Sequence, residues 1–548
     1  MNMRLSFSAL SALFVAAVLV LVMPRSVSPV RAASHPPITQ DFHTSDRCVA
    51  CHNGLKTSSG EDISIGFEWR ASIMANSGRD PYWQASIRRE TIDHPESSAF
   101  IQDDCSTCHM PLQHLIDKAG HHETQVLARL PLGAVHKGLD NSQAADGVTC
   151  AVCHQIESTN LGTPQSYNGN FVVAPPDGSI RKEYGPFVVD KGHLRIMQSS
   201  TAGYTPTQAQ HIRDSALCGS CHTLYTTALG PGGKTIGQLP EQMPYLEWLH
   251  SDYKDRQTCQ QCHMPEVHEA VAVTALYGQP REGMHRHTFV GANFLLEGIL
   301  NAHRNELDVA ALPQEFNAAT ARTKAFLTTQ AAHVAIGTLS QSADELSFPV
   351  TVDNLTGHKL PTAYPSRRAW LHVTVTDNSG NIVFESGKLN PDGSIVGNVN
   401  DSDPHRYMPH YTEITKPGQV EIFEAIMGDS QNRVTTGLLT ATHYLKDNRL
   451  LPTGFDKQTA QHDIAVIGSA LGDPGFTGGS ARVLYRIPVS AAGPLHVSVE
   501  LVYQPVGYRW AHNLAPYQSD ETQRFVGYYK EASAHSSLVL AHADATTR

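Results

Sequence analysis

Several common kinds of chemistry are missing from this sequence. It has no glycine-rich phosphate loop, no Gly-x-Ser-x-Gly elbow and no His-Glu-x-x-His pair, which removes the usual signatures of nucleotide hydrolysis, serine esterases and zinc proteases. Positive charge is short: 41 Lys and Arg stand against 52 Asp and Glu, a formal net charge of -11, which argues against nucleic acid or an anionic membrane surface as partner. Aromatic residues are only 7% and hydrophobic residues 41%, a modest apolar stock for 548 residues, although the chain is long enough for about two or three domains. Beyond the N-terminus no stretch is apolar enough to cross a bilayer. No cysteine stands alone, so a free thiol nucleophile is excluded as well.

The ten cysteines are all consumed by one pattern, Cys-x-x-Cys-His, in five copies: Cys48, Cys51 and His52; Cys105, Cys108 and His109; Cys150, Cys153 and His154; Cys218, Cys221 and His222; Cys259, Cys262 and His263. One copy could be a redox dithiol or half of a zinc site. Neither role calls for a histidine directly after the second cysteine every time. Covalent attachment of haem c does: two thiols bond to the two porphyrin vinyl groups, and the adjacent imidazole becomes the first axial ligand of the iron. The sequence therefore predicts five covalently attached haems c, anchored by these cysteines and ligated by these histidines.

The N-terminus fits an exported protein. Arg4 precedes an apolar run from Leu5 to Met23, and Val30-Arg31-Ala32 has the look of a cleavage site, so residues 1–33 read as a signal peptide. The run is long enough to leave an uncleaved N-terminal anchor as the alternative. Paired thiols outside the cytoplasm would ordinarily become disulfides; haem thioethers take their place. Localisation is expected to be periplasmic or at the cell surface.

The motifs end at His263, and the texture then changes. Residues 34–294 read as a pentahaem domain of short helices and loops, rich in Gly, Pro, Ser, Thr and Asn; its clearest helical passage is Phe67 to Arg89, with a second helix starting at Asp80-Pro81. Residues 295–337 read as a helical connector, with Leu296, Ile299, Leu300, His303 and Leu307 on one face and a second helix over residues 314–333. Residues 338–548 switch to period two: Leu346, Phe348, Val350 and Val352; Leu371, Val373 and Val375; Leu495, Val497, Val499, Leu501 and Tyr503. A turn at Asp377-Asn-Ser-Gly-Asn381 predicts a hairpin. The expected fold class is α+β multidomain, a loop-and-helix multihaem domain followed by an antiparallel β-sandwich. His372 and His496 fall on polar strand faces and read as solvated, and Asn354 matches a short glycosylation sequon with no reason to expect its use.

With "DGVTCAVCHQI", "HIRDSALCGSCHTL" and the twice-used "CxxCHMP", the region from Cys48 to about Phe294 resembles the multihaem c-type cytochromes of the cytochrome c554 type, whose superfamily includes hydroxylamine oxidoreductase and pentahaem nitrite reductase. The resemblance implies the same cysteines as thioether anchors and the same histidines as proximal ligands. It departs from the nitrite reductases, which usually carry a lysine in the catalytic motif and are mostly helical, whereas here all five motifs end in histidine and a β-domain follows.

Function then turns on the sixth position of each iron. Thirty histidines allow full ligation, and the preferred distal ligands are His94, His136, His211, His287 and, from the β-domain edge, His358 in "TGHKLPT"; Met74 is an alternative. The expected function is an exported pentahaem cytochrome c transferring electrons to redox partners such as other cytochromes or a quinol-oxidising membrane complex. The alternative is an oxidoreductase acting on a small nitrogen or sulfur compound at one open haem. Assembly into a homo-oligomer through the β-domain is a third reading.

Overall fold

A computed structural model describes residues 42–133, 135–136, 138–173, 181–490 and 493–547, with the backbone alone for residues 135 and 136. The signal peptide or anchor of residues 1–33 lies outside the described residues. The described residues mix helices with mostly antiparallel sheets, and residues 42–548 form one compact unit. Among the described residues no helix is long and apolar enough to cross a membrane.

In the N-terminal half, α1 (Pro81–Asp93) starts where the Asp-Pro pair predicts: Asp80 caps it, its carboxylate accepting from the amides of Tyr82 and Trp83 at 2.8 and 3.3 Å. α2 (Ser98–His109) carries the second motif at its C-terminal end. α3 (Lys191–Ser200) is capped by Asp190, and α4 (Pro244–Leu249) lies between the fourth and fifth motifs. The region also holds strands that its turn-rich sequence concealed: a hairpin of Leu224–Leu229 with Thr235–Gln242, and a parallel pair, Arg181–Gly185 with Tyr204–Gln208.

α5 (Phe294–Ala302) and α6 (Pro313–Gln330) occupy the predicted helical passage, but they end earlier than the apolar spacing suggests. His303 caps α5 and Leu307 lies beyond it, while His333 belongs to strand β1 (Ala332–Ile336). Pairing of Ala332 with Asn354 and Val334 with Val352 takes that stretch into a sheet, because β1 buries Ala332 and Val334 on alternate positions.

The C-terminal half builds two sheets. One has six strands and centres on β2 (Glu345–Asn354), flanked by β1 and by a later strand, Ser480–Pro488, in antiparallel register from Asp353–Ser480 to Glu345–Pro488. The other has seven and centres on β3 (Arg368–Asp377), paired along its whole length with Leu495–Gln504. Asp377 accepts from the amides of Ser379 and Asn381, and Gly380 takes φ +81°, which closes the predicted hairpin to Ile382–Ser386. One pairing departs from the antiparallel rule: Glu413–Ile414 runs parallel to Leu484–Tyr485.

Leu346, Phe348, Val350 and Val352 share one apolar core with Leu371, Val373, Val375, Val497, Val499 and Leu501, so the alternating residues of both sheets face each other. The same core takes in Phe294, Leu295 and Ile299 of α5 and Phe316 of α6. The last helix, α7 (Asp520–Ala532), packs back on α1: Phe525 meets Tyr82 with ring centroids 4.8 Å apart, and Arg88 forks onto Glu521 at 2.8 and 2.9 Å. The motif-bearing half and the sheet half are thereby held together by apolar packing and paired charge.

His372 is not solvated as predicted. It sits half-buried between Glu500, at 2.9 Å, and Glu385, at 3.2 Å, because cross-strand neighbours on β3's polar face carry carboxylates, and the hydrogen bond to Glu500 leads the causes that raise its pKa. His496 is exposed.

Candidate haem sites

Each motif folds as a short helical turn, which puts the two cysteines, three residues apart, on one face and brings the following histidine beside them. The amides of His52 and His222 bond back to the carbonyls of Cys48 and Cys218 at 3.1 and 2.9 Å. Thr149 caps the third turn by accepting from Val152 N, and Thr258 with Gln261 forms a capping box on the fifth. In the third and fifth motifs the cap comes from the residue directly before the first cysteine.

All ten cysteines and all five motif histidines line one continuous cavity of about 1150 Å³. In four sites Nδ1 of the histidine donates to a backbone carbonyl: His52 to Val273 at 2.6 Å, His109 to Ser77 at 3.2 Å, His154 to Tyr184 at 2.6 Å and His263 to Val290 at 2.5 Å. That bond fixes the tautomer and leaves the Nε2 lone pair for a metal. Burial lowers the pKa of each of the five, pushing His109 and His222 to about 4, so the imidazoles are held neutral, the form that ligates. Among the described residues His222 has no such carbonyl partner, and it lies near Arg367.

Two of the sequence-predicted distal histidines come to face motif histidines. His287 stands opposite His154 with ring centroids 6.4 Å apart and planes 18° apart; His358 stands opposite His263 at 6.2 Å and 10°. A metal–imidazole bond is about 2 Å and the ring centre lies about 1 Å beyond the nitrogen, so two imidazoles on opposite sides of one metal have centroids about 6 Å apart. Neither pair is in stacking contact; the space between the rings matches one iron. Nδ1 of His287 donates to His285 O at 3.1 Å and Nδ1 of His358 to Lys359 O at 2.9 Å, while burial pushes the two to about 3 and about 4. The residues present fit haem c.

The loop bearing His358 is braced from below. Asn354, the residue of the sequon, is buried, and its side-chain amide donates to His358 O at 2.8 Å and Leu450 O at 3.0 Å. Lys359 N donates to Glu247 of α4 at 3.1 Å, and its ammonium pairs with Asp447 at 2.7 Å. Arg449 completes the cluster, 2.7 Å from Asp447 and 3.2 Å from Glu247. This buried charge network ties the loop after β2 to the helix between the fourth and fifth motifs.

The other predicted distal ligands are placed differently. His94 lies outside the cavity lining, its Nε2 3.3 Å from Thr440 Oγ1 at the end of α1. His211 is also outside it, and its Nε2 is bonded to Ile156 O at 2.8 Å. The side chain of His136 lies outside the described residues. Met74 lines the cavity from the turns between the short helix Ile65–Arg70 and α1. Sequence reasoning did not single out two further cavity histidines, His193 and His285. Asp190, three residues before His193, was the available signal.

The motifs adjoin in a branched order. The thiols of Cys48 and Cys150 sit against one another, as do those of Cys218 and Cys259 and those of Cys108 and Cys221, and Cys153 is within electrostatic reach of Cys221. The first site thus neighbours the third, the third the fourth, and the fourth both the second and the fifth. Around Cys105 of the second site stand three carboxylates, Asp104, Glu241 and Glu90, and burial pushes Glu241 up to about 7.

No family model matches the chain, and no curated protein matches it. Among solved structures it is similar to a penta-heme cytochrome c552 from Thermochromatium tepidum, with a TM-score of 0.49 and 15% identity over 92% of this chain and 99% of that one, a likeness too loose to carry fold or activity from one to the other.

Proposed function

We propose that this chain is an exported pentahaem cytochrome c that carries electrons along a branched row of five covalently held haems. The observation that carries the reading is the single cavity into which all five Cys-x-x-Cys-His turns open, with His287 and His358 set across from two of the motif histidines. Haem supplies reversible one-electron chemistry, and closely spaced haems conduct because tunnelling falls steeply with distance. The chain's own part is to fix the spacing through the neighbouring thiol pairs, to keep each imidazole neutral and oriented through Nδ1, and to set each site's polarity by burial. The contacts between thiols support a path from the first site through the third to the fourth, branching there to the second and fifth.

Two sheets sharing one core support a β-sandwich that supplies His358 as an axial ligand. Redox partners are other cytochromes or a quinol-oxidising membrane complex, and the N-terminal segment is the export signal or anchor. Pyridine haemochrome quantitation of the purified protein should give five haems c per chain. A count of one or none, or zinc in their place, would sink the proposal.

A second reading, oxidation or reduction of a small nitrogen or sulfur compound at one open haem, draws on the second site. Among the described residues no imidazole is set across from His109, and Asp104, Glu90 and Glu241 gather beside Cys105, where carboxylates could hold or deliver protons. Electron paramagnetic resonance of the oxidised protein decides between the two: a high-spin ferric signal favours the enzyme, and five low-spin haems leave it without a substrate site.

A further inference from the structure

We infer that His193, oriented by Asp190, is the second axial ligand of the iron at the Cys48–His52 site, an assignment that rests on the pentahaem reading. His193 lines the shared cavity, and its Nε2 is buried without a hydrogen-bond partner. A buried ring nitrogen with nothing to bond calls for a missing partner. Its Nδ1 is already committed, bonded to the carboxylate of Asp190, whose other oxygen caps α3 by accepting from the amides of Gly192 and His193 at 2.8 and 3.0 Å. A carboxylate on Nδ1 makes that nitrogen the donor, so the lone pair resides on Nε2, the arrangement that fixes and strengthens metal-ligating histidines.

Both ends of this helix are pinned to the segments that frame the first motif. At its C-terminal end Ser200 O accepts from Arg47, the residue before Cys48, at 2.9 Å. Ahead of its N-terminal end, Val188 O accepts from Arg281 at 2.7 Å, and Arg281 bridges by backbone to Val271, two residues before the Val273 carbonyl that holds His52. The far sides of His154 and His263 already face His287 and His358. Trp83 lies flat on His109 at 4.5 Å, and His222 lies near Arg367.

The test uses the full-length holoprotein and three variants, His193→Ala, His193→Met and Asp190→Asn. Haem content should stay at five in each, since the thioethers do not involve these residues. His193→Ala should convert one haem from low-spin to high-spin, with added imidazole restoring the low-spin signal. His193→Met should keep that haem low-spin and raise one midpoint potential, because a thioether favours ferrous iron, while Asp190→Asn should keep the ligand and shift the same potential upward by less. Unchanged spin state and redox titration in His193→Ala and His193→Met overturn the assignment, as does an electron cryomicroscopy map with another side chain on the iron held by Cys48 and Cys51. A wild-type haem count below five overturns the underlying pentahaem reading instead.

Discussion

The imidazoles of His263 and His358 lie 6.2 Å apart, centroid to centroid, with planes 10° from parallel, although 95 positions of chain separate the fifth motif from the loop after β2. On the proposed pentahaem reading, that relationship would join the two halves of the molecule through one iron. His358→Ala is expected to keep all five haems attached, turn one of them high-spin and raise one midpoint potential. Water is a weaker-field ligand than imidazole, and the alanine offers no donor. Absorption and electron paramagnetic resonance spectra of the variant are the check.

His287 and His154 form the second such pair. His287→Ala should give its own high-spin haem, and the double variant with His358→Ala should give two, because the ligands serve different irons. A double variant with only one high-spin haem would show that the two histidines do not act independently.

Asp447 sits fully buried between Lys359 and Arg449, directly beneath the His358 loop. Burial disfavours its charge, but Arg449 and Lys359 outweigh that and hold the carboxyl well below the usual carboxylate range. Its contribution to stability is therefore whole above about pH 3.9 and is lost as pH falls. Asp447→Asn is expected to cost about 3–5 kcal/mol at neutral pH, since it leaves two buried cations with Glu247 alone. Denaturant unfolding measures the loss, and spectra of the folded fraction should show a heterogeneous His358 haem.

His410 is buried between Glu421, at 2.7 Å, and Asp473, at 3.0 Å. Burial works against its charge, yet the two carboxylates prevail and raise its pKa. The folded state then holds this proton more tightly than the unfolded chain, so the stabilisation is full below about pH 6.5 and fades as pH climbs through the raised folded value. Unfolding free energies of the wild type between pH 6 and pH 9 should fall faster than those of His410→Asn; parallel curves would count against the charged pair.

Haem anchorage was legible in the chain because it is written locally: a thiol pair at three-residue spacing with a histidine behind it occupies one helical turn and needs no distant partner. The strands around Phe348, Val373 and Val499 were legible for a similar reason, since alternation records which side of a strand meets the core. The distal side of each iron is another matter. Any of the twenty-five histidines outside the motifs could in principle reach a haem, and the sequence contains nothing that says which carbonyl or carboxylate will hold Nδ1. His211 looked well placed beside a motif, but Ile156 O takes its Nε2; His193 looked ordinary, but Asp190 and the close packing of α3 leave its Nε2 buried and unpartnered. The sequence by itself determined the five Cys-x-x-Cys-His turns and the sheet-forming stretches, whereas only the tertiary structure decided which imidazoles face each other and how the five motifs adjoin, because those depend on long-range packing that brings Lys359 onto Glu247 and Cys48 against Cys150.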